Sequence, residues 1–485
     1  MNRVDVLIVG AGPTGLTLAC ELARRNVSFR IVEKSEDLFI GSRAKGLQPR
    51  TLEVFEDLGV IDAVLAAGAP FPPFRLYAGD RVVWERSLEQ MLNLPAAEAS
   101  ASAPYPRAWL IPQWRTDRIL YERLRALGRN VEFATELSAI EPRDEGVIAS
   151  LRRAGSEERV LSRYLVGADG GRSFVRKAAR FSFEGTSDAS ERTLIGDVRV
   201  RGVRGPACHI FTREGNAAER ISLWDLPESD YFQLVATLPA DEVPELSLEA
   251  VRALFERRSG RTDIALEELR WLSLYQVNVR MVDRMQLAHI LLAGDAAHIH
   301  SPAGGQGLNT GVQDAYNLGW KLAAAIQRPR AERLLSTYEE ERLPVAARVL
   351  ALTSRLDPKA FRVDPSSPAP SLDQLDISYR DGSLAFDDGS VQCALRAGDR
   401  APDARLRDGS RLFERFRGPH FTLLAFGSGP SAIDGVRVVA CAEPLEGYAV
   451  ERGFVLVRPD GHVAALSASL SAIEGYMRNW GMLDQ

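Results

Sequence analysis

The chain has 485 residues, 45% hydrophobic and 26% charged, which suffices for two or three domains with ordinary buried cores. A net charge of −5 supplies no basic footprint for nucleic acid, and no apolar stretch reaches membrane-spanning length. The four cysteines, Cys20, Cys208, Cys393 and Cys441, are scattered without a CxxC pair. That argues for a reducing cytoplasmic setting, and against a disulfide framework or a structural metal.

The first elements carry the sharpest signal. Val4 to Val9 is a short apolar run suited to a strand buried on both faces. Gly10, Gly12 and Gly15 follow, with Pro13 and Thr14 between them, and a helix is expected from about Pro13 to Arg25. In such a unit the first glycine makes the tight turn. The second lets backbone approach a pyrophosphate, and the third lets helix pack on strand. The helix N-terminus then faces the phosphates. Phe29 to Val32 predicts the second strand, ending at Glu33-Lys34. A carboxylate there suits a ribose 2′-OH and repels a 2′-phosphate, so the site should hold FAD or NAD and not NADP.

Phe71-Pro72-Pro73 breaks the chain, and Phe74–Tyr77 and Arg81–Glu85 read as strands. A helix is expected from Thr116 to Leu127 with Thr116 as its cap. Strands are expected around Val131–Thr135 and Val147–Arg152 and again at Leu165–Ala168, which leads into Asp169-Gly170. Leu194–Val200, Cys208–Arg213, Arg220–Leu226 and Tyr231–Leu238 predict an antiparallel sheet. Alternation places Tyr231, Gln233 and Val235 on one face and Phe232, Leu234 and Ala236 on the other, without deciding which face lines a pocket. Leu287–Ala293 returns to the buried-strand pattern and runs into Gly294-Asp295. Residues 309–327 and Glu332–Leu356 predict helices, the second despite Pro344. Residues 357–387, rich in Pro, Ser and Asp, read as a linker. Four strands and a final helix, about Ser469 to Asn479, follow it.

Taken in order, the glycine fingerprint, Ser42-Arg43-Ala44 through Gln48-Pro49-Arg50-Thr51, Gly167–Arg176 and Gly294 through Leu322 resemble the class A flavoprotein monooxygenases. These are the aromatic hydroxylases related to p-hydroxybenzoate and phenol hydroxylases. The nearer branch is similar to bacterial hydroxylases of polyketides and other aromatic natural products. The resemblance covers most of the chain and implies an α/β fold in three parts. A discontinuous Rossmann-like FAD domain of glutathione-reductase type takes residues 1–73, 105–180 and 286–356. An antiparallel-sheet substrate domain takes 74–104 and 181–285. After the linker comes a thioredoxin-like domain at 388–485.

The resemblance also implies roles. Asp295 would accept from the ribityl chain, and Asp169 belongs to a motif linked to FAD and the nicotinamide donor. Gln113 would reach the flavin, and Arg43 would lie beside its ring. The Pro302-to-Asn309 segment, with Gly304, Gly305, Gly307 and Leu308, would bring backbone N–H groups to the pyrimidine oxygen. Arg43, Pro302, Gly304 and Gly305 are therefore the candidate catalytic set. His298 is expected to pack near the FAD. His298 and His300 lack the carboxylate or cysteine cluster of a metal site. Candidate pocket groups are Arg220, Trp224, Tyr275 and His209, with Arg75 and Tyr77 at the rim.

No second strand–glycine–helix unit is present for the nicotinamide, as in class A enzymes, where NADPH (or NADH) visits as co-substrate. The implied chemistry is oxygenation by O2 of an aromatic small molecule through a flavin C4a-hydroperoxide. A flavin oxidoreductase without oxygenation and a Baeyer–Villiger variant stay open as alternatives. Phe421–Phe426 is followed by Gly427-Ser428-Gly429-Pro430, without the cysteine pair that thiol exchange needs. The last domain is therefore expected to be structural or to form a homodimer, and to be dispensable for the flavin chemistry.

Overall fold

The computed structural model describes residues 2–92, 98–187, 190–213, 219–355, 371–427, 429–430 and 432–483. Its first layer is a parallel core. Asn2–Val9 lies between Phe29–Val32 and Ser156–Gly167, parallel to both, and Ile290–Leu292 adds to the far side of Ser156–Gly167. Val6, Leu7 and Ile8 are fully buried, as a run without polar alternation requires. The ladder continues past the strand ends. Gly10 N–H donates to the Val32 carbonyl, Ala168 N–H to Val9, and Ala293 N–H to Gly167. The three motif turns and Glu33 therefore emerge from one edge of the sheet, the carboxyl edge, where open α/β sheets bind ligands.

Two helices pack beside this edge, Pro13–Ala23 and Gly307–Gln327. The antiparallel pair Thr135–Arg143 and Gly146–Arg153 extends the sheet through Ser156–Gly167. Two local expectations change. The helix begins at Gln113, not Thr116, because Pro112 in extended backbone forms its N-cap, and Thr116 is buried inside the first turns. The strand expected at Val131–Thr135 starts only at Thr135, because Ala134 turns the chain with φ +50°.

The second layer is a sheet of Ala265–Tyr275, Glu191–Arg201, Tyr231–Pro239, Ile221–Asp225, Cys208–Thr212, Phe74–Ala78 and Arg81–Arg86, in that spatial order. All neighbours are antiparallel except Cys208–Thr212 with Phe74–Ala78, which is parallel. Leu248–Ser259 covers one face, burying Val251, Leu254 and Phe255 against Leu194, Leu223, Leu234 and Ala236. The other face is turned to the carboxyl edge of the parallel sheet.

The third layer orders Phe386–Asp387, Val463–Ser467, Gly453–Val457, Phe421–Phe426 and Val436–Cys441, with Leu470–Asn479 packed on its central strands. The expected linker is in part a packed segment. Residues 356–370 lie outside the described residues, but Leu372, Ile377, Tyr379 and Leu384 are buried and Phe386–Asp387 joins the last sheet. Leu372 packs by Ala303, Ile377 and Tyr379 against Val345 and Val349, and Leu384 in the core of the last sheet, so they leave no single periodic pattern in the sequence.

The third layer meets the first along a buried ionic seam. Arg458 reaches Glu341 and Asp460, each at 2.5 Å, and Lys321 reaches Glu341 at 2.7 Å. Trp320 Nε1 donates to Asp460 Oδ2 at 3.0 Å, and Arg50 donates to the Asp460 carbonyl at 2.7 Å. Arg400 pairs with Glu53, and Arg411 with Glu56. No helix among the described residues is long and apolar enough to cross a membrane.

Candidate active site

A single cleft of about 1840 Å³ runs from the carboxyl edge of the parallel sheet to the open face of the second sheet. This exceeds the roughly 300–1,000 Å³ of common small-molecule sites, so it has room for a dinucleotide and a further ring system.

The dinucleotide end is set by backbone. Gly10 has φ +104°, and a Cβ there would stand 2.4 Å from the Ala168 carbonyl oxygen. Only glycine lets the two strand ends lie so close. A Cβ on Gly15 would stand 2.0 Å from the Gly10 oxygen, so this glycine seats the helix rather than facing the cleft. Gly12 is the N-cap, Pro13 the first helical residue, and open space lies where a Gly12 side chain would be. Gly10, Gly12, Pro13 and Thr14 line the cleft with Glu33 and Lys34. Ala11 and Ser35 each donate a backbone N–H to Glu33, both at 3.0 Å, and fix its carboxylate at the cleft wall.

The other motifs meet this end. Asp169 Oδ2 accepts from Phe174 and Val175 N–H at 2.7 and 3.1 Å, while its Oδ1 is buried at the cleft without a partner. Asp295 is exposed into the cleft. Gly294 lies beneath it, where a Cβ would stand 2.6 Å from Thr14 Oγ1, so the first and last motifs touch. Gln113 exchanges hydrogen bonds with Ala44: its Oε1 accepts from Ala44 N–H at 3.2 Å, and its own N–H donates back at 3.0 Å. Arg43 is exposed at the cleft, 5.0 Å from the Phe39 ring and 5.9 Å from the Trp271 ring.

Pro302, Gly304, Gly305, Gly307 and Leu308 form the adjoining wall. Gly304 and Gly305 both take left-handed backbone. Their carbonyls are pinned from behind: Gln48 and Gln306 amides donate to Gly304, and Asn309 donates to Gly305. Asn309 also accepts from Gln48 N–H at 2.8 Å. It is fully buried and does not line the cleft, so it holds the loop rather than facing a ligand. Helix Gly307–Gln327 starts here and presents its first, internally unpaired N–H groups.

His298 is not at the wall. Its Nε2 lies 2.7 Å from Asp314, which also takes Arg342, and all three are buried in the core. Burial raises the Asp314 carboxyl, but Arg342 and His298 outweigh it and hold it below the usual range. His300, two residues on, lines the cleft instead. No group of three or more His, Cys, Asp or Glu among the described residues could hold a metal.

On the sheet side the alternation is resolved. Gln233, Val235 and Thr237 line the cleft, with Arg220, Trp224 and Tyr275, while Leu234 and Ala236 enter the core. Tyr231 does not line it and donates to Glu268 at 2.7 Å. His209, Arg75 and Tyr77 are also away from it. Burial lowers His209 to about 4, and its Nδ1 is 3.0 Å from the Tyr77 hydroxyl, while Arg75 pairs with Glu85. Sequence reasoning passed over Lys45, Phe71, Phe74 and Leu372, all on the cleft wall. Lys45 carried one signal: lysines are only five of the chain's 60 basic residues.

These residues fit FAD: an open glycine cradle at one helix N-terminus, a partnerless buried carboxylate oxygen, and a second helix N-terminus at the far end. Residues 3–353 match the family "FAD binding domain" and residues 395–480 match "Aromatic-ring hydroxylase, C-terminal". The chain is 52% identical over 474 residues to a flavin-dependent monooxygenase of Mycobacteroides abscessus, covering 98% of this chain and 99% of that one. It is 32% identical to a 6-methylpretetramide 4-monooxygenase of Streptomyces rimosus, covering 95% and 90%. A solved ternary complex of aklavinone-11 hydroxylase with FAD and aklavinone superposes with a TM-score of 0.83 at 28% identity, covering 99% of each chain. The chain belongs to the FAD-binding family of aromatic and polyketide monooxygenases, and it is an FAD-dependent monooxygenase.

Proposed function

We propose that the enzyme consumes NAD(P)H and O2 to hydroxylate a phenolic or polyketide-like aromatic compound. The observation that carries this reading is the continuity of the cleft. The wall that fits FAD runs without a break into an aromatic wall of Phe71, Phe74 and Trp224. FAD, when bound, supplies two-electron reduction by the nicotinamide and activation of O2 at its C4a position for transfer of one oxygen atom.

The chain's own residues do the rest. Glu33 orients the ribose, Asp169 and Asp295 accept hydroxyl hydrogen bonds, and the N–H groups after Gly305 favour negative charge at the ring's pyrimidine end. Arg43 lies at the ring's edge. The aromatic wall keeps water from the transfer site and stacks the substrate. The described part of residues 388–485 is a thioredoxin-like unit in this reading, with strands ordered second, first, third, fourth. Their role is structural, and homodimer formation would use this unit.

Purified protein incubated with NADPH and a panel of phenols should show O2 uptake that rises with one class of compound and a product heavier by one oxygen. Flavin reduction that responds to compounds while no product gains oxygen would make it a plain oxidoreductase.

A further inference from the structure

Lys45 sits where the cleft meets the second sheet. Its ammonium donates to Gln233 Oε1 at 2.5 Å and lies 3.9 Å from the centre of the Trp224 ring. Gln233 is itself fixed, since its Nε2 donates to the Ser42 carbonyl and the residue is fully buried. Phe71 and Phe74 meet Trp224 edge-on, with centroids 6.5 and 5.2 Å away. The result is a cation at the corner of an aromatic slot, and every member of the corner lines the cleft.

The ammonium's close partners are a neutral amide and an indole face. Among the described residues no carboxylate comes within ion-pairing distance of it. Asp197 and Cys208 act on it from the strands beneath, Arg270 faces Asp197, and Arg220 lines the same cleft. Desolvation outweighs the favourable charges and pulls Lys45 down to about 8. A desolvated cation beside neutral groups is costly until an anion joins it.

We propose that the Lys45 ammonium pairs with and holds the oxyanion of an acidic ring hydroxyl or enol, favouring its ionisation, so that it selects substrates bearing such a group. The step is a proton transfer. The substrate O–H bond breaks, the proton passes to solvent water, and the electron pair remains on oxygen against the Lys45 ammonium. No oxidant is needed, and the oxyanion enriches the carbons ortho and para to it for oxygen transfer. This proposal rests on the aromatic-hydroxylase reading above.

The test uses the FAD-loaded full chain and alizarin, a dihydroxyanthraquinone whose visible spectrum differs between its neutral and ionised forms. At a pH where the free dye is neutral, dye bound to the wild type should show the ionised spectrum. Lys45→Met should bind it about tenfold or more weakly and in the neutral form, for loss of a charge-assisted bond. Lys45→Arg should keep the ionised form. Neutral dye on the wild type, ionised dye on Lys45→Met, or no binding to the wild type overturns the proposal.

If Lys45→Met loses FAD, Gln233→Leu replaces it: weaker ionisation of the bound dye supports the site, and an unchanged spectrum overturns it. Oxygen uptake separates the two readings. Oxygenated product from a dye bound neutral sinks the Lys45 assignment alone, whereas ionised dye with no oxygenated product sinks the hydroxylase reading and leaves the oxyanion site.

Discussion

The cleft and the ionic seam are both rich in polar groups, yet they are built on opposite rules. In the cleft, polar atoms are held from one side only. Glu33 is fixed by two backbone N–H groups, Asp169 by two more, and Asp169 Oδ1 is left without a partner. In the seam, charges complete one another: Glu341 takes Arg458, Lys321 and Asn317, and Asp460 takes Arg458, Trp320 and Asn317. A half-satisfied buried group is expensive unless something arrives to satisfy it. The cleft is thus shaped for a ligand and the seam for permanence, and perturbing each should produce different failures.

The largest effect should come from breaking the seam. Arg458→Met leaves Glu341 with Lys321 as its cation and Asp460 with the neutral donors Trp320 and Asn317 and with His462 beside it, a broken buried pair that should cost about 3–5 kcal/mol. Denaturant unfolding should show an earlier first transition that reports detachment of residues 388–485. A variant that unfolds like the wild type would mean that water already reaches the seam. The same charges predict acid sensitivity. Burial raises Glu341, but Arg458 and Lys321 bring it down to about 2. A depressed carboxyl stabilises fully above its unfolded value and loses that contribution as pH falls toward its folded value. From the ordinary glutamate near 4.3 this amounts to about 3 kcal/mol, lost between roughly pH 4.5 and 2. Melting temperature against pH should slope down through that window, and Arg458→Met should flatten the slope.

In the cleft the effect should fall on the ligand instead. Asp295→Ala removes an exposed acceptor from the wall. Loss of a hydrogen bond to a charged group, roughly 1.5–3 kcal/mol, weakens FAD by about 10- to 100-fold. The apoprotein should melt within about 0.5 kcal/mol of wild type, as for a surface change. Fluorescence titration of apoprotein with FAD measures the first quantity and calorimetry the second. An apoprotein that melts much earlier would make Asp295 part of the scaffold.

The contrast also explains what could be read from the chain. Gly10 was legible because backbone geometry at a strand end restricts which residue can stand there, and the restriction is local in sequence, whereas Asp169 and Asp295 were picked out through the family resemblance of the motifs they stand in. The seam was not legible, since Glu341 and Arg458 are separated by 117 positions and each alone reads as a surface charge. Lys45 failed for the same reason: its partner Gln233 is 188 positions away. His298 was drawn to the cofactor by its place in the motif, whereas the backbone turns it to Asp314 and brings His300 forward. The stretch 371–387 was misread from composition, because its few apolar residues are divided among three different clusters. Expecting residues 388–485 to be dispensable for flavin chemistry also passed over the seam, whose first-layer half includes Arg50, Trp320 and Lys321.

The smallest change sharpens the comparison most, because it touches the seam alone. The Tyr316 hydroxyl lies 2.9 Å from Asp57 Oδ2 and 3.1 Å from the Pro459 carbonyl, bridging the first and third layers. Asp57 keeps other partners after its removal, since Arg24 reaches it at 2.6 Å and Gly418 N–H at 2.8 Å. Tyr316→Phe therefore removes one donor and leaves no bare charge. It should cost only about 0.5–1.5 kcal/mol, against several for Arg458→Met. Tyr316 lies on the same helix whose first turn borders the cleft, but it is absent from the cleft wall. FAD affinity should hold within about twofold, far below the tenfold that 1.4 kcal/mol would bring. If Tyr316→Phe weakens FAD as Asp295→Ala does, the helix transmits strain from seam to cleft and the two regions are one cooperative unit. If it leaves FAD binding alone while lowering the melting temperature, seam and cleft are energetically separate even though one helix serves both.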